Sequence, residues 1–175
     1  MTARPPPFAV VALMGLPGSG KSTLAARLST ASGLAILDRD AIRAGMFPQH
    51  VAGVDEKPAA TAALWLALRA MLEAGQGAIL DGMTFASDRH RATAAGMAEA
   101  FGASFLPVEV RVSLRVATQR VRAQVHSSKE RTPKLVRQVA SRFQPVPPGT
   151  LVIDGREPVE AQVARVCAAF DERCG

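Results

Sequence analysis

The chain has 175 residues, of which 48% are hydrophobic and 21% are charged, and its formal net charge is +6. This is the composition of an ordinary globular protein, so we expect one domain over residues 1–175 that buries most of its apolar surface. The apolar run at 8–14 is too short to span a bilayer and precedes no small-residue cleavage site, so we expect a cytoplasmic protein without a membrane anchor. Cys167 and Cys174 have a spacing that suits one helix face rather than a metal site or a required disulfide.

Apolar runs and amphipathic segments alternate along the chain. The runs that predict strands are 8–14, 34–37, 77–81, 104–112 and 150–154. The segments that predict helices are 21–32, 57–75, 87–102, 113–124 and 157–173, with one more helix expected from about residue 41. This alternation favours an α/β fold of three layers, in which helices cover both faces of a mostly parallel sheet. Trp65 is expected on the buried face of its helix, and Pro107 is expected to place its strand near an edge or to delay its start.

Positive charge is concentrated in the second half of the chain. Between Arg111 and Arg142 there are nine lysines or arginines and a single acid, Glu130, whereas the signs nearly balance elsewhere. The total charge has a compositional explanation, because the chain is rich in arginine and alanine. The local excess predicts a segment that binds anions.

The stretch directly after the first strand reads GLPGSGKST and matches the pattern G-x-x-x-x-G-K-[ST]. Its residues are Gly15, Leu16, Pro17, Gly18, Ser19, Gly20, Lys21, Ser22 and Thr23. The glycines let the backbone curl so that successive N–H groups point at phosphate oxygens, and the following helix presents its positive N-terminus to the same anions. Lys21 is predicted to reach the β- and γ-phosphates, and the Ser22 hydroxyl to bind Mg²⁺. The chain is therefore predicted to bind a nucleoside triphosphate.

Other features narrow the class of phosphate-loop protein. GTPases read guanine with an Asn-Lys-x-Asp element, and this chain contains no asparagine. Motor and AAA-type ATPases are much longer, whereas 175 residues with a basic segment before the last strand suit a small kinase that closes an arginine-rich lid over the transferred group. Asp81, at the end of the third strand, is predicted to bind Mg²⁺ directly or through water; the alternative is that it only caps the next turn.

Together, GLPGSGKST, Asp40-x-x-Arg43 after the second strand, AILDG at the third and a basic segment before LVIDG resemble the small P-loop kinases. This group includes the kinase part of polynucleotide kinase, zeta-toxin-type kinases and chloramphenicol phosphotransferase. The resemblance runs over nearly the whole chain. It implies a five-stranded sheet of order 2-3-1-4-5, an arginine-rich lid over about 120–143, and ATP and Mg²⁺ as the nucleotide and metal.

The resemblance also implies roles for the charges around residue 40. Asp40 would be the general base that orients the acceptor hydroxyl, and Arg43 would hold an anionic or hydroxylated part of the acceptor. Asp38 is a rival for the base because a short turn can shift the alignment by two positions. A third reading makes Asp40 only the cap of the next helix. Arg39 is expected to point to the opposite side, into solvent.

For the lid, the resemblance places Arg120 beside the adenine. Arg122, Lys129 and Arg131 are candidates for a contact with the β- and γ-phosphates, and Arg131 is preferred; a solvated basic helix is the alternative for each of them. Arg89 and Arg91 both follow Asp81, and either could line the acceptor pocket.

The expected function is transfer of the γ-phosphoryl group of ATP to a hydroxyl of a small molecule such as a sugar, an antibiotic or a nucleoside. A polynucleotide 5′-hydroxyl is a less favoured acceptor, because aromatic residues make up only 5% of the chain and do not interleave with the basic ones. An alternative of another class is a nucleotide-binding regulatory module with slow ATP hydrolysis. The histidines, His50, His90 and His126, have no metal-ligand spacing, and a monomer or a homodimer is expected.

Overall fold

The computed structural model of the protein describes residues 8–49, 55–123 and 132–174. Five strands form one sheet, namely β1 (Ala9–Met14), β2 (Ala35–Asp38), β3 (Ala78–Asp81), β4 (Ser104–Arg111) and β5 (Leu151–Asp154). All neighbouring pairs are parallel, and the order across the sheet is β2-β3-β1-β4-β5. The strand positions and the order expected from the sequence are confirmed.

Helices follow or precede every strand. They are α1 (Lys21–Ser32), α2 (Arg39–Met46), α3 (Lys57–Glu73), α4 (Asp88–Ala100), α5 (Leu114–Ala123), α6 (Pro133–Ser141) and α7 (Val159–Cys174). Two differ from expectation: α2 begins about two residues early, and α6 lies inside the predicted lid, where no helix was expected. The middle of the lid, 124–131, lies outside the described residues.

The residues of β1 divide alternately between two cores, as expected for a strand covered on both faces. On one face Ala9, Val11 and Leu13 pack with α1 and α7. On the other, Val10, Ala12 and Met14 pack with α3 and α4. All six residues of β1 are inaccessible to solvent. The central strand is thus rigidly held where the phosphate loop leaves it.

A third, smaller cluster joins α5 and α6 above the phosphate loop. Ala117 and Val121 of α5 pack with Val136 of α6, and Leu16 of the loop and Val112 pack against them. Thr132 caps α6, since its hydroxyl accepts a hydrogen bond of 3.2 Å from the N–H of Leu135. Both flanks of the predicted lid are therefore anchored beside the loop.

Two expectations about single residues require correction. Pro107 lies inside β4, an interior strand that starts at Ser104 rather than late. The proline is tolerated there because β5 pairs with β4 only from Val108 onward. Trp65 packs against the core on this face of the sheet but is only partly buried; its ring centroid lies 6.3 Å from that of His90.

Candidate active site

The phosphate loop takes a conformation that only glycine allows at several positions. Gly15, Gly18 and Gly20 have φ angles of 140°, 82° and 109°. A Cβ atom on Gly15 would lie 2.5 Å from the carbonyl oxygen of Val110, and one on Gly18 would lie 2.7 Å from that of Ala117. The glycines therefore serve both the turn and the close approach of β4 and α5.

Lys21 is the first residue of α1, and its ammonium group is folded back over the loop. Nζ donates hydrogen bonds of 2.9 Å to the carbonyl of Gly15 and 3.0 Å to the carbonyl of Leu16. The side chain is 9% exposed. A cation is thus held at the centre of a ring of backbone groups at the N-terminus of a helix, which is the arrangement suited to a phosphate chain.

A cavity of about 390 Å³ opens along the carboxyl edge of the sheet, in front of this loop. From the loop and α1 it is lined by Pro17, Gly18, Gly20, Lys21, Ser22 and Thr23. From other elements it is lined by four further residues singled out in the sequence, namely Asp40, Arg43, Asp81 and Arg120. The fold thus brings the predicted nucleotide, metal and acceptor residues to one cavity.

Asp81 lies at the end of β3 with its carboxylate almost fully buried. Its side chain is 2% exposed, and Oδ1 accepts no hydrogen bond from the described residues. A buried carboxylate oxygen without a donor is costly unless a cation meets it. Ser22 lines the same cavity, so a hydroxyl and a carboxylate oxygen are available, which are the ligand types that Mg²⁺ prefers. These residues fit a magnesium ion.

Asp38 and Asp40 play different structural parts. Asp38 is the N-cap of α2: its Oδ1 accepts hydrogen bonds from the N–H groups of Asp40 (2.8 Å) and Ala41 (3.2 Å). Burial raises the pKa of Asp38, and the charge of Asp81, its register partner in the sheet, raises it further, while the two N–H groups act against this. Asp40 lines the cavity and Asp38 does not. The capping role that one reading gave to Asp40 therefore belongs to Asp38.

The expectation that Arg39 is solvated is wrong. Its Nη2 lies 2.8 Å from Oδ1 of Asp40, its side chain is 18% exposed, and the residue lines the cavity. The helix starts at Arg39 rather than after Asp40, and this earlier start turns the side chain toward the site. Arg39 therefore fixes the carboxylate that the sequence marks as the candidate base.

Arg43 lies one turn further along α2 and faces the start of α3. Its Nη1 is 4.0 Å from Oε2 of Glu56, and both side chains are largely buried. Lys57, which follows Glu56 in the chain, also lines the cavity. Arg43 is thus held at the cavity wall by an acid that itself lies behind the wall.

Arg120 bridges the phosphate loop and the turn after β5. It donates hydrogen bonds of 3.2 Å to the carbonyl of Ser19 and 2.9 Å to the carbonyl of Gly155. The first bond reaches the phosphate loop, and the second reaches the turn after β5. Arg120 therefore joins two segments of the cavity wall.

Three further arginines singled out in the sequence, Arg89, Arg91 and Arg122, do not line this cavity. Arg91 is 4% exposed, and its guanidinium is bonded to the carbonyls of Phe85, Gln144 and Pro145. Arg91 is therefore a structural residue, and its placement at the acceptor is corrected. Arg89 is exposed, and Arg122 faces a shallow groove on the outer side of α5. Lys129 and Arg131 lie outside the described residues.

Three cations in the cavity were missed by sequence reasoning: Arg39, Lys57 and Arg142. Lys57 stands at the first turn of a predicted helix, where it looked like an ordinary surface residue. Arg142 is the last residue of the basic segment between Arg111 and Arg142, and this position was the available sequence signal that it binds anions. Neither residue belongs to a local motif, so only the fold reveals them.

The comparisons with known proteins agree with this geometry. The model of the AAA_33 family, described as an AAA domain, matches residues 10–146. Among curated proteins no match is found.

Three solved structures have the same fold. A sugar kinase from Janibacter sp. HTCC2649 is 19% identical, with a TM-score of 0.70, covering 94% of this chain and 95% of that one. A gluconokinase from Sinorhizobium meliloti 1021 is 18% identical, with a TM-score of 0.69 and coverages of 97% and 94%. The APS kinase CysC of Mycobacterium tuberculosis, in complex with AMPPNP and APS, is 22% identical, with a TM-score of 0.70 and coverages of 95% and 99%.

Within the described residues, no helix is both long and apolar enough to cross a bilayer. The family match covers most of the chain, and the solved structures confirm the fold that the sequence resemblance implied. The chain therefore belongs to the AAA_33 family and has the fold of the small P-loop kinases.

Proposed function

We propose that the protein is an ATP-dependent kinase that transfers the γ-phosphoryl group to a hydroxyl of a small-molecule acceptor. One observation carries the proposal: the phosphate loop, the buried Asp81 and the Asp40–Arg39 pair line a single cavity. They come from the carboxyl ends of β1, β3 and β2, which are neighbours in the sheet. The names of similar structures, a sugar kinase, a gluconokinase and an APS kinase, support the same class of reaction.

The nucleotide would bind at the loop. Backbone N–H groups and the N-terminus of α1 face the phosphate chain, and Lys21 neutralises its charge. Arg120 holds the loop and the turn at Gly155 together, so that the adenine of the nucleotide would lie between them. Ser22 and Asp81 would hold Mg²⁺, which supplies positive charge against the oxygens of the β- and γ-phosphates.

The acceptor would bind beside Asp40. Its hydroxyl oxygen attacks the γ-phosphorus, a new O–P bond forms, and the bond from the γ-phosphorus to the β–γ bridging oxygen breaks to release ADP. The hydroxyl proton passes to the carboxylate of Asp40, which Arg39 holds in place at 2.8 Å. Phosphoryl transfer depends mainly on positioning and charge, so a fixed carboxylate is sufficient as the base.

The test is transfer of labelled phosphate from ATP to sugars, aminoglycosides, nucleosides and 5′-hydroxyl oligonucleotides, with wild type and Asp40→Asn. We expect transfer to fall about 10²- to 10⁴-fold in the variant because it lacks the base, while ATP binding stays within a few-fold. Glu99→Gln, on the exposed side of α4, is the matched control for loss of one carboxylate. Unchanged transfer in Asp40→Asn would refute the assignment of Asp40 as the general base.

The same assay separates the alternative functions. A regulatory module would hydrolyse ATP slowly in wild type and in Asp40→Asn alike, without any dependence on an acceptor. A polynucleotide kinase would use the oligonucleotide, with a KM that rises steeply with salt because phosphate contacts release counterions. A small neutral acceptor would show little dependence on salt.

A further inference from the structure

The cavity continues past the phosphate loop to the turn after β5 and the first turn of α7. We call this part the β5 end and define it by Gly155, Glu157, Val159 and Gln162. Gly155 lies against the loop, because a Cβ atom on it would be 2.5 Å from the carbonyl oxygen of Ser19. The space in front of the loop therefore extends directly into the β5 end.

The order of the strands decides which part of the reactants would reach the β5 end. β2 and β5 are the two edge strands, and β1, from which the phosphate loop leaves, lies between them. Asp40, the proposed base, lies in α2 directly after β2. With the phosphates at the loop and the acceptor beside Asp40, the nucleoside would extend toward β5. The β5 end is therefore placed to contact the nucleobase.

Gln162 places a buried amide group at the β5 end. The residue is only 6% exposed. Its Nε2 donates a 2.8 Å hydrogen bond to the carbonyl of Glu157. A carbonyl oxygen can only accept hydrogen bonds, so the nitrogen of the amide must face Glu157 and the oxygen cannot take its place. The backbone therefore fixes the orientation of this amide.

The amide oxygen of Gln162 accepts no hydrogen bond from the described residues. The neighbouring acceptors are engaged: the carbonyls of Gly155 and Glu157 accept from Arg120 and from Gln162 itself. The carboxylate of Glu157 lies 3.4 Å from Arg165. A buried acceptor without a donor is destabilising unless a ligand supplies one. Among these acceptors, the oxygen of Gln162 is the one that still lacks a donor.

We propose that Gln162 selects the nucleobase, with its amide oxygen accepting a hydrogen bond from the 6-amino group of adenine. The inference rests on the proposed kinase function and adds a residue that determines specificity for the nucleotide. Guanine and hypoxanthine carry a carbonyl oxygen at this ring position, so two acceptors would face each other. Turning the amide over would bring its oxygen against the carbonyl of Glu157. The site should therefore discriminate against 6-oxopurines.

The test compares ADP, IDP and inorganic pyrophosphate, each titrated calorimetrically into the full chain in the presence of Mg²⁺. IDP carries hypoxanthine in place of adenine, and pyrophosphate carries no base. Wild type should bind ADP at least about tenfold more tightly than IDP, because IDP leaves the buried acceptor unpaired. Gln162→Met nearly keeps the volume and removes the amide, so ADP binding should weaken until the ratio is within about threefold, with pyrophosphate affinity unchanged.

Gln76→Met, at an exposed site between α3 and β3, is the matched control and should keep the wild-type ratio. Equal binding of ADP and IDP by wild type overturns the inference and leaves the kinase standing. An unchanged ratio in Gln162→Met, or an equal loss of pyrophosphate and ADP binding there, does the same, because either result makes Gln162 only a structural residue. Gln162→Leu replaces the methionine variant if that variant does not fold. If wild type binds neither ADP nor pyrophosphate, the kinase proposal and this inference fail together.

Discussion

Arg91 offers the sharpest test of how the walls of the cavity are held. Its Nε donates to the carbonyl of Phe85 at 2.6 Å, Nη1 donates to the carbonyl of Pro145 at 2.6 Å, and Nη2 donates to that of Gln144 at 2.9 Å. Nη1 also reaches Asp88, and the guanidinium carbon lies 5.3 Å above the ring of Phe143. One side chain therefore ties the loop after β3 to the segment that follows the lid.

Replacing Arg91 by alanine would leave three backbone carbonyls without these donors in a buried place. A single hydrogen bond to a charged group contributes about 1.5–3 kcal/mol, and such contributions do not add when the bonds share one side chain. Breaking one buried charged network costs about 3–5 kcal/mol. We therefore expect Arg91→Ala to lower the free energy of unfolding by about 4 kcal/mol and Arg91→Lys by about half as much, because lysine keeps the charge and can reach only part of the set.

Urea denaturation followed by far-UV circular dichroism measures this loss. With an m-value of about 2 kcal/mol/M, the midpoint of Arg91→Ala should fall by about 2 M. Arg89→Ala is the matched control, since Arg89 lies on the same helix and is exposed, and its midpoint should stay close to that of wild type. Equal midpoints for the Arg89 and Arg91 variants would refute the stabilising role of the Arg91 hydrogen bonds. If the alanine variant does not fold, Arg91→Lys can be compared with Arg89→Ala instead.

Two further predictions concern the acids behind the phosphate loop. Asp81→Asn should weaken Mg²⁺-dependent AMPPNP binding by at least about tenfold and leave metal-free binding nearly unchanged, since the amide lacks the negative charge and one of the two oxygens of the carboxylate; equal loss with and without Mg²⁺ would contradict its role. The raised pKa of Asp38 means that the folded state holds its proton more tightly than the unfolded state. Without ligand, the stability of wild type relative to Asp38→Asn should therefore fall as pH rises above 3.8 toward the folded pKa, and a difference that is constant from pH 3 to pH 7 would contradict this.

Local signals in the sequence were enough to predict the sheet and the phosphate loop. Each strand is an apolar run bounded by turn residues, and the observed ends differ from the predicted ones by a residue or two. The loop glycines stand at φ angles that their pattern requires. Asp81 was placed correctly at the end of β3 because a charge that directly ends a buried run must lie at the edge of the sheet.

Contacts between distant segments were not predictable in the same way. The guanidinium of Arg91 binds Gln144 and Pro145, more than fifty residues away, and nothing near Arg91 in the sequence indicates this. Arg39 was expected in solvent because α2 was expected to start at about residue 41. The helix starts at Arg39 instead, so Arg39 and Asp40 both lie in its first turn, and both line the cavity. The α6 helix was missed because the basic lid region has no long apolar stripe.

The start of α2 depends on a contact that sequence reasoning could not weigh. Asp38 and Asp81 are paired in the β2–β3 register, and Gly82 follows with a φ of 73°. A Cβ atom on Gly82 would collide with Oδ1 of Asp38 and would lie 2.6 Å from the backbone nitrogen of Asp40. Because this glycine has no side chain, Asp38 can cap the helix there, and the cap turns Asp40 into the cavity. The division of roles among the three aspartates therefore follows from one glycine at the end of β3.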